Sequence, residues 1–191
     1  MSKSQRRREA KRKEEVERQA RVKAEQEGMV DPRDIEMEAL MGVLAPIGLA
    51  VHEIPSDGHC LFRSIAHQLA ARGGAMERFQ DLRARTAEYM QAHADDFMPF
   101  VPYEGDEVEL FATDPKAAFE AYCKRLATTG MWGGHPEVRA LAAVVRRPVV
   151  VYQAGADPLN MGEEFSGEPL TISFHRSYYV LGEHYNSVIA A

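Results

Sequence analysis

The sequence predicts a mixed α+β domain, a small β-sheet with helices packed about it. Three observations carry that reading. Helical periodicity fills most of the first three quarters of the chain, and apolar β-branched runs come late, apart from one short stretch before residue 55. The third is size: 191 residues at 45% hydrophobic composition suffice for one core of ordinary size and hardly for two.

Each element has its own signal. "VDPRDIEMEALMGVLAPIG" offers Asp31 as N-cap and Pro32 at the first helical position, with Ile35, Leu40, Met41 and Leu44 on one side. The globular domain, residues 30–191, therefore begins there. "GLAVHEIP" reads as a short strand. Beyond Cys60, the residues Leu61, Phe62, Ile65, Ala66 and Leu69 recur at helical spacing until Gly73-Gly74 stops them. "AMERFQDLRARTAEYMQAHADDF" continues as a second helix, and "DPKAAFEAYCKRLATT" as a third, capped by Asp114 with Pro115 just inside. Between these two, the prolines and carboxylates of "MPFVPYEGDEVELFAT" predict a surface loop. "WGGHPEVRALAAVV" is another amphipathic helix, "RPVVVYQ" a central strand, "GADPLNMGEEFSGEP" a stretch of turns, and "LTISF" and "HYNSVIA" two last strands.

Charge divides the chain differently. Residues 1–27 carry ten Lys or Arg against six Glu, net +4, while the remainder holds 13 basic and 23 acidic residues, net −10. The arm, residues 1–29, is too poor in apolar side chains for a heptad seam and is expected to be helical in part or disordered. RNA, a ribosomal surface or an acidic protein suits such an arm, and solvated charge without a partner is the plain alternative. The N-terminus lacks the apolar core of a signal peptide, and no window approaches a membrane span. The two cysteines, Cys60 and Cys123, have neither zinc-site spacing nor the density of a disulfide framework. The expected address is the cytoplasm, with the nucleus left open, and the expected partners do not include a membrane.

Cys60 stands where a turn becomes a helix, in "PSDGHCLFRSIAHQL". The first turn of a helix presents unpaired N–H groups and the positive end of the dipole, which favour a thiolate. Gly58 frees the loop for close approach, and its N–H groups suit an oxyanion. Cysteine is also a common small core residue. Cys123, in the middle of "AFEAYCKRLA", reads as packing only.

A cysteine nucleophile needs a base, which in turn needs an orienting group. Of seven histidines, His184 in "GEHYNSVIA" has the best context. Side chains two apart on a strand share a face, so Asn186 lies beside His184, and its amide oxygen can accept from one ring nitrogen. His135 and His175 show no such partner in sequence.

The stretches "SDGHCLFRSIAHQL", "MWGGHPEVRALAAVVRRPVVVY" and "GEHYNSV" stand in the order and rough spacing of the ovarian-tumour (OTU) family of cysteine deubiquitinases, which the chain resembles over about residues 30–190. The charged N-terminal extension is closest to that of one subfamily. The resemblance implies a papain-like fold, hydrolysis of isopeptide bonds at the ubiquitin C-terminus, and ubiquitin or polyubiquitin as partner. By motif position it implies Cys60 as nucleophile and His184 as base and acid. Asn186 and Asp57 both remain for the third place, Asp57 as an orienting or loop-holding carboxylate. No metal or organic cofactor is implied. Trp132, Gly133 and Gly134, with Gly58, are candidates to line a narrow slot for the diglycine tail, beside the plainer account of a helix cap with a tryptophan packed into the core. A non-catalytic OTU-like module binding ubiquitin or ribosomal RNA is the alternative.

Overall fold

The computed structural model describes residues 31–74, 76–179 and 182–191. The basic arm lies outside them. Helix α1 (Pro32–Leu44) opens the domain, with the Asp31 carboxylate accepting from the Arg33 N–H at 2.9 Å. A single 3₁₀ turn, Ala45–Ile47, leads into strand β1 (Leu49–His52). Helices α2 (Cys60–Ala71), α3 (Phe79–Ala92), α4 (Ala94–Phe97), α5 (Asp106–Thr113), α6 (Pro115–Thr128) and α7 (His135–Val145) follow. Strands β2 (Val149–Gln153), β3 (Leu159–Met161), β4 (Leu170–Tyr179) and β5 (Gly182–Ala190) close the chain.

The five strands form one sheet in the order β1-β5-β4-β2-β3, with β2 and β4 parallel and the other neighbours antiparallel. The helices-then-strands order is thus the expected α+β plan. Strand alternation gives the sheet two apolar faces. Val149, Val151, Leu170, Ile172 and Tyr185 join Phe62, Ile65, Leu82, Phe119 and Leu141 in the main core. On the opposite face Val188 meets Leu40 and Leu44 of α1 in a smaller cluster. Ile35, expected on the buried side of α1, is 55% exposed, because α1 touches the sheet through only a narrow stripe.

Three expectations are corrected. The stretch between α4 and α6 is not a plain loop: Asp106–Thr113 is helical, and Glu107 is nearly buried, paired by both carboxylate oxygens to Arg125 at 2.9 Å. Its charges masked its helical period. Strand β2 lies inside the sheet as expected, but the predicted turn segment after it contains a short edge strand, β3, paired to it. The second helix begins at Phe79 rather than at residue 75 and breaks at His93, leaving α4 as a separate turn. Among the described residues no helix is long and apolar enough to cross a membrane.

Candidate active site

The turn before α2 is built from one carboxylate and one glycine. Asp57 Oδ1 accepts the His59 N–H at 2.9 Å, and Oδ2 accepts Arg63 Nε–H at 2.9 Å from the first turn of α2. Both oxygens therefore serve the loop. Gly58 is required by contact, since a β-carbon there would lie 1.7 Å from the carbonyl oxygen of Gly130. The Gly58 carbonyl in turn accepts from Nη2 of Arg83, whose Nη1 donates to the Leu126 carbonyl at 2.9 Å. Arg83 is buried, lies over the Phe62 ring, and loses basicity to burial, its pKa falling to about 10. It ties the turn to α3 and α6.

Cys60 is the first residue of α2 and is 7% exposed. The expected preference for thiolate is not what this environment yields. Burial pushes the thiol pKa up, outweighing the downward pull of the backbone N–H groups of Tyr185, Leu61 and Cys60 itself. The contact with Tyr185 joins the helix tip to β5 one residue from His184. Cys123 lies buried in α6, its thiol raised to about 12 by burial.

His184 Nε2 faces two acceptors, Asn186 Oδ1 at 3.0 Å and the Ile54 carbonyl at 3.1 Å. Two acceptors require a donor, so Nε2 carries the proton and the basic lone pair of the neutral ring is on Nδ1. The Ile54 N–H donates to the same Asn186 oxygen at 2.8 Å, fixing which end of the amide is which. Burial lowers the His184 pKa, opposed by the bonds to Asn186 and Ile54 and by Asp57. Burial thus favours the uncharged form of both the thiol and the imidazole.

Asp57, Gly58, Trp132 and His184 line one cavity of about 90 Å³, together with Ser56, Gly182 and Glu183. Trp132 is 46% exposed rather than packed in the core, and its ring lies against Gly182, whose φ of +105° suits glycine. Gly133 and Gly134 are placed otherwise. A β-carbon on Gly133 would lie 2.6 Å from Leu61 Cδ2, so that glycine lets two elements pack. Gly134 caps α7, its N–H donating to Glu137 Oε2 at 2.6 Å, and lines a separate cavity of about 810 Å³. Sequence reasoning missed Arg83, Ile54 and His175. The first acts from another helix, the second through its backbone, and the third only through the β4–β5 register. Among the described residues no cluster of acidic, histidine and cysteine side chains could hold a metal ion.

A thiol at a helix tip, touching a strand whose histidine is held by a neighbouring amide, within an α+β domain, defines the class of thiol proteases. The chain belongs to the OTU-like cysteine protease family, whose model matches residues 55–185. It is 41% identical to the human protein named deubiquitinase OTUD6B, over 98% of this chain and 63% of that one. Fission yeast ubiquitin thioesterase otu2 is 32% identical over 83% of this chain and 51% of its own length. The chain thus spans less than two thirds of these relatives. Among solved structures, the OTU domain of OTUD1 has TM-score 0.55 at 24% identity, covering 81% of this chain and 94% of that one. The OTU protease of Farallon virus has TM-score 0.57 at 15% identity, covering 76% and 86%. These two share the fold.

Proposed function

We propose that the chain is a thiol-dependent isopeptidase cleaving bonds at the C-terminus of ubiquitin. The observation that carries this is the pair of acceptors on His184 Nε2, which assigns the basic lone pair to Nδ1. Relatives named as deubiquitinases, and a Wolbachia OTU deubiquitinase of the same fold solved bound to ubiquitin, TM-score 0.54, support the substrate class.

His184 Nδ1 takes the Cys60 proton as the sulfur attacks the carbonyl carbon of ubiquitin's terminal glycine. The tetrahedral intermediate collapses with transfer of that proton from Nδ1 to the departing lysine amine, leaving a thioester on Cys60. A water, deprotonated by Nδ1, attacks the thioester carbon and expels the thiolate, which is reprotonated by the imidazolium. Asn186 holds the ring through each transfer and accepts from Nε2–H as charge develops there. Asp57 shapes the turn and adds negative charge near the imidazolium. The narrow cavity between Gly58, Trp132 and Gly182 suits a tail without side chains, and Glu183 suits its basic residues.

A ubiquitin probe bearing a C-terminal electrophile tests the reading: wild-type chain is labelled, while Cys60→Ala and His184→Ala are not. Binding of the probe without labelling of the wild type would favour a non-catalytic module. For the basic arm we assign an acidic surface, RNA or ribosomal, as partner, and RNA affinity that falls with added salt and is lost on deleting residues 1–29 is expected.

A further inference from the structure

Across the β4–β5 pair, His175 stands opposite His184 and Ser173 opposite Asn186. All four side chains point to the sheet face that α1 covers, and all are at most 2% exposed. The Asn186 amide has one workable orientation. Its oxygen receives the Ile54 N–H at 2.8 Å and the His184 Nε2–H at 3.0 Å, so its Nδ2 is turned toward His175 Nε2, 3.3 Å away. Two N–H groups cannot face each other, so His175 Nε2 is unprotonated and its ring proton is on Nδ1. The Ser173 hydroxyl, 2.9 Å from the same nitrogen, donates to it as well. If the amide were reversed, Nδ2 would meet two donors and both bonds to Oδ1 would be lost.

The backbone holds His175 in that place. Directly after it β4 departs from register, and the freed N–H groups of Arg176 and Ser177 both donate to the Glu36 carboxylate of α1, at 2.7 and 2.8 Å. α1 thus fastens the strand at the point where His175 must meet the amide.

We propose that His175 is a positioning residue for His184: as its Nδ1–H tautomer it supplies the acceptor that locks the Asn186 amide with Oδ1 toward His184. This rests on reading His184 as the acid–base group. The bland alternative, a histidine that merely fills a polar pocket, requires neither a particular tautomer nor an effect on the chemical step.

The tautomer of the wild-type ring is the direct test. In ¹⁵N-labelled wild-type protein at pH 7 the His175 ring, assigned by its absence in H175F, is expected to show a protonated Nδ1 and a bare Nε2. An Nε2–H tautomer or a charged ring overturns the proposal. In diubiquitin cleavage, H175F is expected to lower kcat about tenfold with KM nearly unchanged, the worth of one buried hydrogen bond. H175Q, whose amide oxygen can reach the place of Nε2, recovers most of that loss. Equal kcat per folded molecule in H175F and wild type overturns the proposal too. Failure of the functional reading would show separately, as wild-type protein without turnover or as full turnover in His184→Ala.

Discussion

Burial and hydrogen bonding act on Cys60 in opposite directions, and burial prevails. Burial therefore favours the neutral form of the thiol. The rate of Cys60 alkylation by iodoacetamide is expected to climb through the alkaline range above the ordinary thiol pKa of about 8.5. A plateau already reached at pH 6 would contradict this. Asn186 holds two donors, so Asn186→Ala takes the acceptor from the buried Ile54 N–H and leaves the His184 Nε2–H bonded to the Ile54 carbonyl without the amide that orients the ring. The orphaned Ile54 donor costs about 1–3 kcal/mol, and kcat should fall at least tenfold while the fold survives. Circular dichroism with steady-state kinetics checks both halves. Gly58→Ala forces the turn away from Gly130 and from Arg83, and loss of labelling by a ubiquitin probe is expected even where the melting curve stays cooperative.

At the scale of elements, α5 and α6 are held together by the Glu107–Arg125 pair, with Glu104 also bonded to Arg125 at 3.1 Å. Glu107 thus fastens α5 to α6. Glu107→Ala should lower stability by about 1–3 kcal/mol, read as a shift in the urea midpoint, with kcat little changed. Sequence exposed most of the elements because their caps are local. Asp31, Asp114, Pro32 and Pro115 act within a turn of where they stand, and both aspartates cap as expected. The helix Asp106–Thr113 escaped because its acidic residues resemble a solvated loop until Arg125, from another helix, neutralises one of them. Edge strand β3 escaped because three residues have too little pattern of their own.

For the whole molecule, the buried histidines make stability depend on pH on the acid side. His175 is nearly inaccessible and its pKa is lowered to about 4, chiefly by burial, from an ordinary 6.5. In that interval the unfolded chain binds a proton that the folded chain refuses, so stability rises with pH. The contribution is complete above pH 6.5 and is lost as pH falls toward 4, at most about 3 kcal/mol for this ring. The lowered values of His184 and His67 act in the same sense. Melting temperature should therefore drop between pH 6.5 and pH 4, and less steeply in H175Q. A flat profile across that interval would count against the buried, neutral His175.

The sequence alone determined the α+β class, the cysteine at the start of a helix and the pairing of His184 with Asn186, because caps, helical period and strand alternation are all written within a few residues. Only the tertiary structure decided the sign of the Cys60 shift, the exposure of Trp132, the burial of Glu107 and the parts of Arg83 and His175. Each of these depends on what a residue meets across the fold: solvent excluded by packing, a carbonyl on another helix, or a partner set by strand register. Such meetings leave no local pattern to read.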